Sequence, residues 1–239
     1  MPSAAVFDLD NTLVHGSSLF HFARFLVRRR VLSHRHVVRF VLPELLYARG
    51  RGEQEGSTSR AVLLALRLVN GVSRDTMQEL ADEFVRTRLP GFLDGAMLHE
   101  VRRQQARGVP CFIATASPQE LADAFARRLD MDGSFGTVSE VVDGRYTGAL
   151  LGPVCHGGAK ARRVGTELAT RGLDLSQAIA YSDSVNDLPL LVAAGRPVAV
   201  NADVELAQIA ERNGWPVFLG RRDRRRATQS LMAYLPFPM

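Results

Sequence analysis

Ala4-Ala5-Val6-Phe7-Asp8-Leu9-Asp10-Asn11-Thr12 carries an apolar strand directly into a pair of acids. Residues two apart on an extended strand point the same way, which aims Asp8 and Asp10 at one spot. Two carboxylates at the mouth of a buried strand repel each other unless a cation, a proton or a reaction uses them. The plainer reading is a strand end at which Asp10 or Asn11 caps the next helix. The rest of the chain separates the two.

Beyond Leu13 a long helical stretch begins. Ser17 or Ser18 can cap a helix over residues 19–30, where Leu19, Phe22, Phe25 and Leu26 recur at helical spacing. Ser33 opens a second candidate over residues 34–49, bent at Pro43. Ser57 or Ser59 starts a third, which Gly71 can end in the left-handed conformation. Ser73 caps a fourth through about Arg88, and Pro90-Gly91 ends it. Residues 15–89 thus read as an α-helical cap inserted after the first strand, with residues 1–14 and 90–239 as the core.

From Asp94 strands and helices alternate. Helices fit residues 95–107, 119–129, 159–170, 188–194 and 204–213. Strands fit 109–116, a short piece near 136–140, 178–182 and 197–200. Asp143-Gly144, between Val141-Val142 and Tyr146-Thr147, signals a two-residue hairpin. This alternation predicts an α/β fold whose core is a Rossmann-like parallel sheet covered on both faces. Such sheets bind ligands at the carboxyl ends of their strands.

Length and composition agree. The 239 residues suit one large domain with a smaller insert, and 46% apolar against 23% charged residues can bury a core. Met1-Pro2-Ser3-Ala4-Ala5 lacks the basic start of a signal peptide. No apolar run approaches the roughly 18 residues of a membrane span. The expected setting is cytoplasmic, with no membrane partner. Cys111 reads as core and Cys155 as a loop residue, too few for a disulfide framework or a cysteine metal site. Of the net charge of +5, the stretch Arg221-Arg222-Asp223-Arg224-Arg225-Arg226 contributes +4, from five arginines and one aspartate. The remainder is nearly neutral, and no aromatic residue interleaves with those arginines, so the patch reads as solvated surface and not as a nucleic-acid site. An amphipathic stretch over residues 37–47 could lie on a membrane and is better used in packing within the cap. Nothing here fixes an oligomeric state.

The carboxyl ends of the predicted strands collect one set of groups. The first brings Asp8 and Asp10. The second brings Thr115, with Ser117 opening the next helix. The strand over 178–182 leads into Asp183, then Asn186 and Asp187. Pro189, in the first turn after Asp187, leaves open that Asp187 is merely a helix cap. Lys160 is the single lysine among 30 basic residues, the others all being arginine. It falls near a helix N-terminus, after Gly157-Gly158, where a cation opposes the helix dipole. Its placement points to an anionic partner off the helix. Four acids, one lysine and one hydroxyl suit a phosphoryl group, provided a hard cation on the carboxylates reverses the sign of the field. Magnesium is the natural ion, since it accepts few carboxylates and keeps water or substrate oxygens. The Thr115 hydroxyl and the N–H groups of the following helix start can hold the equatorial oxygens.

Asp8-Leu9-Asp10-Asn11-Thr12, Thr115, Lys160 and Asp183-Ser184-Val185-Asn186-Asp187, in that order, resemble the four motifs of the haloacid dehalogenase-like (HAD) phosphatases over about the whole chain. The cap after the first motif and the Asp143-Gly144 hairpin before Lys160 look like the phosphoserine-phosphatase-like branch. The resemblance implies that Asp8 is the nucleophile that becomes an aspartyl-phosphate. Asp10 would protonate the leaving oxygen and later deprotonate the attacking water. Asp8, the main-chain carbonyl of Asp10 and Asp183 would hold Mg2+. Thr115 and Lys160 would stabilise the transferring phosphoryl. Asp187 would support Lys160 and the metal's waters, with Ser117 and Asn186 on the phosphate side.

Dehalogenase members lack the second acid and phosphonate-cleaving members replace it, so Asp10 favours phosphate-ester hydrolysis. The expected enzyme is a magnesium-dependent phosphomonoesterase for a small phosphorylated metabolite, with a cap that closes over the substrate and reopens. One position departs from the branch. Phosphoserine phosphatases carry a glutamate where this chain has Ser17, and a neutral hydroxyl cannot replace a carboxylate facing an ammonium. The segment His15-Gly16-Ser17-Ser18 and the cap face with Phe20, His21 and Arg24 are then expected to line the leaving-group pocket. Phosphoserine, a polyol or amino-alcohol phosphate and a lipid head group remain rival substrates. Outside enzymes, the rival is a phosphate-sensing module whose mark would be loss of Asp8, Asp10 or Lys160; all three are present.

Overall fold

In a computed structural model, residues 2–32 and 57–219 are described. The helix expected over 34–49, with its 37–47 stretch, and the arginine patch at 221–226 lie outside them. The strands are β1 (Ala5–Phe7), β2 (Cys111–Pro118), β3 (Gly133–Thr137), β4 (Ser139–Val142), β5 (Arg145–Leu150), β6 (Ile179–Ser182), β7 (Arg196–Val200) and β8 (Val217–Phe218). The main sheet runs β3-β2-β1-β6-β7-β8, and every pairing in it is parallel. β4 and β5 form a separate antiparallel hairpin.

β1 is central and buried at each position because successive residues serve opposite faces of the sheet. On one face Phe7 pairs in register with Ile113 and Tyr181, and packs with Met97, Val101, Leu121 and Phe125. Those side chains come from α4 (Gly95–Ala106) and α5 (Gln119–Arg128), which follow α1 (Ser18–Arg28), α2 (Ser57–Leu68) and α3 (Arg74–Arg88) along the chain. On the other face Val6, Phe112 and Ala180 meet α6 (Gly157–Ala169), α7 (Leu188–Ala193) and α8 (Val204–Asn213) through Val164, Leu168, Leu190, Leu191, Leu206 and Ala210. Truncating a fully buried phenylalanine such as Phe7 costs about 3–5 kcal/mol. The bonds that hold β1 central also fix the residue after it.

The chain leaves the sheet and returns to it side by side. Val14 bridges Leu93 in an antiparallel sense, His15 N–H donates to the Phe92 carbonyl at 2.6 Å, and Asp94 N–H donates to the Leu13 carbonyl at 2.8 Å. Asp94 then caps α4, its Oδ1 accepting from Ala96 and Met97 N–H. The described α-helices between these crossing points are α1, α2 and α3, followed by a 3-10 turn at Leu89–Gly91.

Three sequence expectations change in detail. The short strand near 136–140 is the end of β3 and the start of β4, separated at Val138. β3 begins earlier, at Gly133-Ser134, because backbone pairing with β2 and not side-chain preference creates it. Its Gly136 has no room for a side chain, as a Cβ would lie 2.8 Å from Gln119 Cα. β8 was not anticipated; two residues after Pro216 become a strand only by pairing with β7. Finally, β1 stops at Phe7, so Asp8 and Asp10 stand on the loop beyond the strand and not on the strand itself.

Candidate active site

The sheet register brings three strand ends to one place. Asp8 follows Phe7, and its N–H donates to the Tyr181 carbonyl at 2.9 Å. Thr115 follows Ala114 on β2, and Asp183 follows Ser182 at the end of β6. Lys160, in the first turn of α6, reaches in from the opposite face. Its Nζ lies 2.7 Å from Oδ1 of Asp8 and 2.7 Å from Oδ2 of Asp187, and all three side chains are buried. The cation that opposes its own helix dipole is therefore held by two acids from elsewhere in the fold.

Asp187 precedes α7 but makes no side-chain cap bond to it. Its Oδ2 instead accepts from Lys160 and from the Ser182 hydroxyl, at 2.7 Å each. Its Oδ1 is buried with no hydrogen-bond partner among the described residues. The plain helix-cap reading of this residue is thereby set aside.

The electrostatics follow from this packing. Burial pushes the Asp8 carboxyl up to about 7; Lys160 opposes the rise, while Asp187 and Asp10 add to it. Burial also works against the Lys160 ammonium, but Asp187 and Asp8 outweigh it and hold its pKa above the usual lysine range. A permanently charged lysine thus faces a carboxylate that needs further positive charge to stay ionised near neutrality.

The other expected residues are placed around this pair. Asp10 Oδ1 accepts from the Ser18 N–H at 2.7 Å. Thr115 is buried, and its Oγ1 accepts from the Ser117 N–H at 3.1 Å. Asp183 is half-buried and accepts from the Thr12 hydroxyl at 3.4 Å. Asn186 donates its side-chain amide to Ser184 Oγ at 3.2 Å. Ser17 is the N-cap of α1, its Oγ accepting from Phe20 N–H at 3.3 Å. Among the aromatic residues expected nearby, Phe20 lies under the Arg24 guanidinium at 5.7 Å, and His21 stacks on Phe92 with ring centroids 5.2 Å apart.

A family model for haloacid dehalogenase-like hydrolases matches residues 5–192, a span containing all these groups. The chain belongs to this family. It is 36% identical over 222 residues to the phosphoserine phosphatase SerB1 of Mycobacterium tuberculosis, covering 91% of this chain and 70% of the relative. It is 30% identical over 224 residues to a histidinol-phosphatase of Neisseria meningitidis, covering 91% and 98%. A solved structure of a protein of unknown function from Bordetella pertussis shares 33% identity with a TM-score of 0.79, covering 90% of this chain and 97% of that one.

Membership of the HAD hydrolases raises the question of a divalent ion at these carboxylates. Among the described residues no group of three or more His, Cys, Asp or Glu side chains is arranged to hold a metal ion by itself. The expected set needs fewer: the Asp8 and Asp183 carboxylates and the Asp10 main-chain carbonyl are the oxygen-only donors magnesium takes, with water completing its shell. The buried, unpartnered Oδ1 of Asp187 suits a hydrogen bond from such a water. The residues fit the ion. No described helix is long and apolar enough to cross a membrane.

Ser182 and Asp203 were not singled out in the sequence, and Ser18 was read there only as a helix cap and a pocket residue. Ser182 holds Asp187, Ser18 holds Asp10, and Asp203 Oδ2 accepts from Val185 N–H at 2.8 Å, fixing the loop after β6. Ser182 carried one usable signal, a hydroxyl closing an otherwise apolar strand just before an acid. Asp203 carried none, since capping α8 through Leu206 N–H already explains it.

Proposed function

We propose that this HAD hydrolase is a magnesium-dependent phosphomonoesterase that hydrolyses a small phosphorylated metabolite through an aspartyl-phosphate on Asp8. The observation that carries the reading is the buried Asp8–Lys160–Asp187 arrangement. A cation buried between two acids is expensive as structure alone, and replacement by apolar groups is often neutral or stabilising. It has a use if the Asp8 side chain must accept a dianion.

In the first step an Asp8 oxygen attacks phosphorus while the ester P–O bond breaks. The departing oxygen takes a proton from the Asp10 carboxyl. In the second, water attacks the phosphorus of the acyl phosphate, gives a proton to the Asp10 carboxylate, and the bond to Asp8 breaks. Lys160 and the Thr115 hydroxyl balance charge on the phosphoryl oxygens, and Ser117 and Asn186 flank them. Asp187 holds Lys160 in place. Asp8, the Asp10 main-chain carbonyl and Asp183 would hold magnesium, which when bound would withdraw charge from the phosphoryl group and favour the ionised form of Asp8. The segment carrying α1, α2 and α3 serves as the cap, joined through the paired crossing at Val14 and Leu93.

Two relatives are named for phosphoserine and histidinol phosphate, both amine-bearing esters. Ser17 supplies no carboxylate for an ammonium and spends its oxygen on the helix cap, which argues against phosphoserine as the preferred substrate. The test is phosphate release from p-nitrophenyl phosphate with magnesium and with chelator, followed by a panel of phosphorylated metabolites. Magnesium-dependent release is expected. Tight anion binding without turnover would replace the enzyme by a sensor.

A further inference from the structure

We propose that Ser18 is a positioning residue for the acid–base carboxylate of Asp10, which rests on the phosphatase reading above. Ser18 is the first residue of α1, and its N–H is one of the helix-start donors that α1 cannot satisfy internally. That N–H donates to Asp10 Oδ1 at 2.7 Å, the length of a bond to a charged acceptor. The neighbouring cap bond is made separately, by Ser17 to Phe20 N–H.

The Ser18 side chain anchors this donor. Its hydroxyl lies 2.9 Å from that of Ser117, across 99 residues of chain, and the two residues are 0% and 2% exposed. A hydroxyl buried this deeply costs its desolvation if the partner is lost, so the pair holds α1 and the end of β2 at a fixed separation. Ser117 N–H in turn donates to Thr115 Oγ1 at 3.1 Å. Thr115 thereby accepts through its oxygen and keeps its hydroxyl hydrogen for a phosphoryl oxygen. Asp10, Ser18, Ser117 and Thr115 form one hydrogen-bonded line from the group that moves the proton to the group that holds phosphate. The first two belong to the segment leaving the sheet and the last two to β2.

A helix start that was merely packed would give the same distances, but the chemistry separates the cases. As the ester P–O bond lengthens, the Asp10 proton passes to the departing oxygen, and the need for it grows with the basicity of that oxygen. A misaimed carboxyl therefore slows phenyl phosphate more than p-nitrophenyl phosphate. General packing damage slows both alike.

The experiment measures kcat/KM for both esters with magnesium in the parent, Ser18→Ala, Ser117→Ala, Asp10→Asn and Asp10→Asn combined with Ser18→Ala. Ser18→Ala is expected to lower the phenyl phosphate value about tenfold more than the p-nitrophenyl phosphate value. Ser117→Ala, which breaks the same hydroxyl pair from the β2 side, should shift the ratio in the same direction. With Asp10→Asn already present, Ser18→Ala should leave the ratio unchanged, because the group it acts through is gone. Equal losses on both esters, or a ratio change that persists in the Asp10→Asn background, would overturn the role of Ser18 while leaving the phosphatase intact. A parent inactive on both esters would sink the phosphatase reading itself, and this role with it.

Discussion

Nζ of Lys160 lies 2.7 Å from Oδ2 of Asp187, and that contact draws Asp187 away from the helix it precedes. The pair joins α6 to the loop before α7, while Asp8 meets the same ammonium at 2.7 Å. One cation therefore decides whether two buried carboxylates can coexist.

Lys160→Met should cost about 3–5 kcal/mol, since two buried acids lose their counter-charge. It should also lower turnover by at least about a hundredfold. Adding Asp187→Asn to Lys160→Met should recover part of the stability and none of the turnover. Urea denaturation and phosphate release on the same preparations check both. Parallel recovery would mean that Lys160 is structural.

Ionisation of Asp8 links metal binding to pH. Its pKa is raised from 3.8 to about 7 in the folded chain, so the native state holds a proton that the unfolded state has released across that window. The metal-free protein should lose this contribution to stability as pH rises from about 4 to about 7. The raised pKa of Lys160 changes nothing there, because both states keep that ammonium charged. Magnesium must displace the Asp8 proton at low pH. Its stabilisation, read as a shift in Tm, should therefore be larger at pH 8 than at pH 5, and an equal or reversed shift would contradict the assignment.

Beneath Asp8, Tyr181 stacks on Phe7 with ring centroids 4.4 Å apart and donates its hydroxyl to Glu100. Burial alone would raise the Glu100 pKa, but hydrogen bonds from Arg103, Tyr181 and Gln104 prevail and hold it below its usual value. The stability it contributes is present above the unfolded pKa and is lost as pH falls through the folded one. Glu100→Gln should cost about 1–3 kcal/mol at pH 7 and less at pH 4. Denaturant titrations at the two values test this.

Ser17→Glu restores the acid that phosphoserine phosphatases carry. It should cost about 1 kcal/mol through loss of the α1 cap and raise turnover of phosphoserine relative to other esters. A substrate panel shows the change, and no gain on phosphoserine would count against placing this residue beside the leaving group.

Much of the architecture was legible because it rests on local chemistry. The Asp143-Gly144 turn needs two left-handed residues, and φ values of 49° and 74° meet that need. Ser73 was readable as a helix boundary, and it is the N-cap of α3, although its side chain makes no cap bond. Lys160 stood out as the one lysine in an arginine-rich chain, and the fold shows what it faces. Features made by distant pairing were not legible. β8 exists through β7, and the Ser18–Ser117 contact joins residues that no local pattern relates. Ser17 was legible both as a cap and as a pocket residue; the cap bond is the one its hydroxyl makes.

In the proposed reaction an Asp8 oxygen attacks phosphorus. Intact-mass measurement of protein mixed with p-nitrophenyl phosphate and magnesium, then quenched in acid, tests it directly. A transient gain of one phosphoryl group, mapping to the peptide that contains Asp8 and absent from Asp8→Asn, is the predicted result. Full turnover by Asp8→Asn, or a phosphoryl group carried on a different residue, would contradict it.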